Sequence, residues 1–319
     1  MAVTVSPWLA SQMALDPRFD DAMLRIVYKG LTGAEPLASP SDYSTEAQSQ
    51  AWEAETLTLD ELKSIYAAGG QNLKQLFTEI ILSPYYRADG LDNQSFAMIH
   101  ADTGAARLLT PEMLHRKIDA VLGFEWRSIL DNYSTDINNP VLAKLLDNRI
   151  FYNQIYGGID SFTVTERLTE PNGLMVYVQE RMANELACFA VPNDFLYPAQ
   201  ERLLFPRVEV TTQPNNSVSN NLIRENIQYL HAHLLGENLD VNDAEIGVTF
   251  DLFNAIQSSG KNAIGLTETS TLPPLCRRSK DMYTGASLDT PLVDDPDYVI
   301  RAWMAVVAYL LADYSFLYE

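Results

Sequence analysis

At 319 residues, 47% hydrophobic and 20% charged, the chain has ordinary globular composition and enough length for one large core or two domains, which excludes a disordered protein. Its 42 acidic against 22 basic side chains leave a formal charge of −20, which repels nucleic acid and anionic membranes and attracts cations and basic partners. No stretch reaches the roughly 20 apolar residues that cross a bilayer; the nearest, AWMAVVAYLLA at 302–312, is bounded by Arg301 and Asp313 and reads as a buried helix.

The first residues, MAVTVSPWLASQMALDPRF, carry no basic stretch followed by a long apolar run, so they do not read as a signal peptide. Either the protein is cytosolic, or something has been removed ahead of them. Residues 16–33 place Phe19, Met23, Ile26, Val27 and Leu31 close to helical period, with Gly33 as a stop. Residues 34–45, rich in Pro, Ser and Asp, read as a loop, and 46–68 as a polar amphipathic helix. A further helix over 72–83 carries the stripe Leu73, Leu76, Phe77, Ile80 and Ile81 and ends at Pro84. These make an N-terminal helical unit over 1–88, and 89–109 a joint to a main helical domain over 110–319.

In that domain, TPEMLHRKIDAVLG starts a helix with Thr110 as N-cap, Pro111 in the first turn and Gly123 at the end. PVLAKLLDNRIFYNQIY from 140 supplies another, leading into the Gly157-Gly158 turn. The segment 172–191 follows, opened by Pro171 and stopped by Pro192, and is so nearly apolar all round that it reads as a central buried helix. A Pro-punctuated stretch comes next, in which RVEVTT at 207–212 has the pattern of a short strand. SVSNNLIRENIQYLHAHLLG and NDAEIGVTFDLFNAIQSSG predict two helices, the second with Asn242 and Glu245 spaced as a capping box. The last helix starts near Pro296 and runs almost to Glu319, with Trp303, Val307, Leu310, Leu311 and Tyr314 on its buried face. Strand-like alternation is scarce, so the fold class is all-α: an irregular multi-helix bundle around the central helix, with long Pro-rich loops.

On the central helix, Glu180, Arg181, Asn184 and Glu185 fall within one arc of about 140°. Arg181 and Glu185 are i,i+4 partners, as are Glu180 and Asn184, which suggests a self-satisfied polar seam. The sharper reading is a cation or substrate site, because carboxylates on a core helix are costly unless paired or bound. Asp160, in the turn leading to the helix, would join either arrangement. His231 and His233, two apart on a helix, point about 200° from each other and cannot share a metal without a break in the helix. His100 and His115 stand alone. There is no CxxCH for covalent haem, no CxxC pair, HExxH, GxSxG, phosphate-binding loop or GxGxxG, and DVNDAEIGVTFD at 240 lacks the glycine that a calcium loop needs at its sixth position and reads as a helix cap. The sequons at Asn93, Asn132 and Asn215 are near chance frequency. Cys188, near the end of the central helix, and Cys276, in the loop LPPLCRRSK, are expected to be bridged, closing a loop of about 88 residues, the alternative being two unrelated buried thiols. A bridge would imply an oxidising compartment.

The segments LRIVYKGLTG, ILSPYYRA, LLTPEMLHRKIDAVLG, YGGID, TERLTEPNGLM, ERMANELAC and VIRAWMAVVAYLLADYSFLYE together resemble the C-terminal helical portion of large secreted proteins of Gram-negative bacteria. These are of unknown function and often carry c-type cytochrome modules upstream. The resemblance implies a periplasmic or extracellular location, a link to electron transfer, and Cys188 and Cys276 as part of the family pattern. It brings no catalytic residue, and this chain departs from it in lacking a haem-attachment motif, so haem would come only from a partner or from a missing N-terminal part. The expectation is a non-catalytic helical subunit or scaffold of an exported assembly, docking a basic protein partner such as a c-type cytochrome. The alternative is an enzyme or metal-binding protein with an acidic site around Asp160, Glu180 and Glu185.

Overall fold

The computed structural model of the protein describes residues 5–42, 44–87, 107–127, 144–146, 152–159, 164–168 and 170–318. The chain is mostly helical, with a small two-stranded sheet, and divides into two compact units, residues 1–108 with 318–319, and residues 109–317.

In the first unit, α1 (Val5–Leu15), α2 (Pro17–Thr32), α3 (Glu46–Ala68), α4 (Leu73–Leu82) and the single turn α5 (Pro84–Arg87) follow one another. Their limits are set by local chemistry: Asp16 accepts from the Arg18 N–H, Thr45 and Gln48 form a capping box, Asn72 accepts from Lys74, and Gly33 ends α2 in the left-handed conformation. Leu24, Val27 and Tyr28 of α2 pack with Leu59, Leu62 and Tyr66 of α3 and Leu76 and Ile80 of α4. The loop after α2 is anchored by Glu55, a buried carboxylate that accepts from the Tyr28 hydroxyl at 2.9 Å and the Leu37 N–H at 2.6 Å.

The second unit contains α6 (Pro111–Leu122), α7 (Tyr152–Ile155), α8 (Gly173–Asp194), α9 (Ser217–Leu230), α10 (Ala244–Ala263) and α11 (Val299–Ala312), with strands β1 (Arg278–Lys280) and β2 (Ser287–Leu292) paired antiparallel across a register irregularity. Thr110 caps α6 and Gly123 ends it, as their types predict. The central helix, α8, packs most extensively against α11, which also packs on α10, and α10 on α9. At their junction the Trp303 ring lies 4.5 Å from Phe253 and 5.1 Å from Phe205, and Met182 and Leu186 of α8 and Val307 and Leu311 of α11 are fully buried.

Several expected boundaries shift. Asn172 is the N-cap of α8, so Pro171 lies just outside the helix, and Pro192 sits inside its last turn. Near the end of a helix a proline forfeits one backbone bond rather than the helix, and the two residues after it are held by their side chains. No strand forms over 207–212: Thr212 donates its N–H to the Glu209 carbonyl, and Arg202 takes the carbonyls of Phe205 and Val208. Asp243, not Asn242, caps α10. Helix α11 starts only at Val299, because Asp295 accepts from the N–H groups of Ile300 and Arg301 while Tyr298 turns at φ 58°. It ends at Ala312, so Trp303, Val307, Leu310 and Leu311 are buried but Tyr314, carried beyond the helix, is 73% exposed.

Candidate functional site

Asn172 fixes the start of α8 twice, accepting from the Met175 N–H at 2.9 Å and donating to the Ile155 carbonyl at 3.1 Å. From this start the helical period sets Glu180, Arg181, Asn184 and Glu185 on one side. The first three are exposed and Glu185 is half-buried. The Glu185 carboxylate accepts at one oxygen from Arg181 Nε at 2.8 Å, and at the other from Trp126 Nε1 at 2.9 Å and Lys144 Nζ at 2.5 Å. The Lys144 side chain is only 4% exposed and lies 4.8 Å over the Trp126 ring, which stacks on Tyr152 at 5.2 Å. Burial would raise the Glu185 pKa, but the bonds from Lys144, Arg181 and Trp126 outweigh it and hold the carboxyl below the ordinary glutamate value. Two cations and an indole N–H occupy this carboxylate, the pattern of a structural ion cluster.

Of the other expected members, Glu180 and Asn184 share no hydrogen bond or ion pair with Glu185. Glu180 is exposed; its backbone carbonyl, not its carboxylate, accepts from Asn184. Asp160 lies outside the described residues, as do Asn93, Asn132, His100 and most of the helix expected from 140. Gln179, on the opposite side of α8, is the buried polar residue at the α11 contact: it accepts from the Tyr156 hydroxyl at 2.9 Å and donates to the Leu311 carbonyl. Lys144 and Trp126 approach from 41 and 59 residues upstream of Glu185, with no periodic signal to announce them.

The C-terminal end of α8 carries a second polar cluster. Cys188 and Cys276 form a disulfide. Five residues on, the buried Asn193 accepts from the Met282 N–H at 2.7 Å and donates to Asp281. Asp281 also accepts from the hydroxyls of Tyr197 and Thr284 and from the Tyr283 N–H, bonds that outweigh its burial and lower its pKa. Asp194 accepts the backbone N–H groups of Leu203, Leu204 and Phe205 at 2.7, 3.0 and 2.9 Å. Its burial pushes the pKa up, and these three amides pull it partly back. The dipeptide Asn193-Asp194 therefore anchors two separate loops to one helix end.

After α9 the chain makes a π-helical turn, His231–Leu235. His231 is buried, with Nδ1 2.6 Å from Glu237 Oε2 and Nε2 3.1 Å from the Thr249 hydroxyl. The order hydroxyl, imidazole, carboxylate is that of a catalytic triad, but Thr249 is 0% exposed on α10, so a substrate has no path to its oxygen. The same contacts fully satisfy a core histidine. His233 points elsewhere, its Nε2 2.9 Å from the Val121 carbonyl and its ring stacked on Tyr229, so the π-turn does not bring the two imidazoles together.

Among the described residues no group of three or more His, Cys, Asp or Glu side chains is placed to hold a metal, and no helix is long and apolar enough to cross a membrane. Comparison with protein families, with curated proteins and with solved structures finds no match.

Proposed function

We propose that the chain is a non-catalytic helical subunit of an exported, periplasmic or extracellular assembly, whose acidic surface docks a basic electron-transfer partner such as a c-type cytochrome. The observation that carries the non-catalytic part is the saturation of the central helix: Glu185 is occupied by Lys144, Arg181 and Trp126, and Asn193 and Asp194 are consumed in holding loops. Groups so engaged fix structure and leave little for chemistry. The Cys188–Cys276 bond is compatible with an oxidising compartment, and the charge of −20 favours a cationic partner. The link to a cytochrome rests on the sequence resemblance alone.

A second reading, a metal-binding or catalytic acidic site around Asp160, Glu180 and Glu185, draws on one observation: the Glu180 carboxylate is exposed and has no side-chain partner among the described residues. An absorption spectrum, a metal analysis and a titration with a basic c-type cytochrome separate the two. Saturable cytochrome binding by a protein free of stoichiometric metal is the expected result. A stoichiometric metal lost on Glu180→Gln, with no cytochrome binding, would replace the first reading by the second.

A further inference from the structure

A cleft of about 550 Å³ opens between α9 and the loop that follows the π-turn, within the size range of small-molecule sites. One face of α9 lines it, with Glu225, Gln228 and Tyr229 at helical spacing, and Arg207 and Glu237 line it as well. Its walls are tied from behind. The Arg207 N–H donates to the buried Asn226, next to Glu225 on α9 and itself bonded to the Leu204 carbonyl. Gln228 Nε2 donates to the Leu239 carbonyl at 2.7 Å, fixing the loop, and His231, braced by Thr249, holds one oxygen of Glu237. Among the described residues, neither the Arg207 guanidinium nor the Glu225 carboxylate has a side-chain partner, although both line one cleft, and Glu237 keeps a second oxygen. Opposite charges in one cleft that do not neutralise each other, on a backbone held in place, make a site complementary to a molecule bearing both signs.

From this cleft we infer a binding site for a free amino acid with a cationic side chain: Arg207 takes the α-carboxylate in its fork, and Glu225 and the open oxygen of Glu237 take the two ammonium groups. One cation against two carboxylates sets the preference for a ligand of net positive charge. Nothing in this assignment depends on the docking partner proposed above.

Isothermal titration of the intact protein with L-lysine tests it. One site per chain is expected, with L-lysine methyl ester, which lacks the carboxylate, and norleucine, which lacks the side-chain cation, each weaker by about tenfold or more. Arg207→Gln should weaken lysine by a similar factor and erase the preference for acid over ester, and Glu225→Gln should weaken lysine as well. Both side chains are exposed, so the variants should melt with the wild type when no ligand is present, which separates lost binding from lost folding. No binding of L-lysine up to about 10 mM, equal affinity for acid and ester, or unchanged affinity in both variants would overturn the assignment.

Discussion

Removing the charge of Glu185 would leave Lys144, whose side chain is 4% exposed, as a buried cation without its carboxylate. Breaking a pair in this way typically costs about 3 to 5 kcal/mol, so Glu185→Gln should melt well below the wild type. If the cluster is structural, the folded variant should keep the proposed partner binding; a stabilised variant that no longer binds would overturn that role. The same residue predicts a pH dependence. Its folded pKa lies below the ordinary glutamate value of 4.5, so its contribution is present above that value and is lost as the pH falls through the folded pKa. The melting temperature of the wild type should therefore drop below about pH 4.5, and the slope should be shallower in Glu185→Gln; parallel slopes would assign the effect to other carboxylates. At this scale the sequence reveals half of the cluster. Arg181 and Glu185 are one helical turn apart and legible from spacing, whereas Lys144, Trp126 and the cleft around Arg207 and Glu225 are assembled by tertiary packing, which no local pattern encodes.

Helix starts and stops are legible where a single residue type dictates them, as with Thr110 and Gly123 around α6. They become illegible where a distant group intervenes. Pro192 reads as a stop but falls in a turn held by Asn193 and Asp194, and the late start of α11 depends on the Asp295 carboxylate and the left-handed Tyr298. Tyr314 continues the helical period of α11 in sequence, but the helix ends at Ala312, so the period no longer applies. Strands β1 and β2 are short and mostly exposed, without the alternation that marks a half-buried strand. Leu310, 1% exposed, is a clean probe of the buried face, and Leu310→Ala should cost about 2 to 5 kcal/mol; an unchanged melting temperature would show that α11 does not depend on this packing. The disulfide encloses 88 residues of sequence, so replacing Cys188 and Cys276 together with alanine should cost about 4 kcal/mol. Asn193 and Asp281 should still hold the 281–284 loop in that variant, leaving its amides protected from hydrogen exchange. Their full exposure would show the bond to be the sole anchor.

With 42 acidic and 22 basic side chains, long-range attraction should dominate the approach of a basic partner. Raising the ionic strength from about 0.01 to 0.1 M contracts the screening length from roughly 30 to 10 Å, so association with the proposed cytochrome partner should slow steeply over that interval; a rate indifferent to salt would argue against an electrostatically guided complex. The contact of α8 with α11 also governs the order in which this molecule can form. The buried Gln179 amide finds its acceptor on Leu311, 132 residues later in the chain, and α8 packs most extensively against the helix that carries it, α11. A chain emerging from the ribosome therefore holds its central helix without this cover until residues Val299–Ala312 have been made. Contacts at such sequence separation form slowly because loop closure must precede them, so the packing of the second unit around its central helix should be completed only after α11 is available.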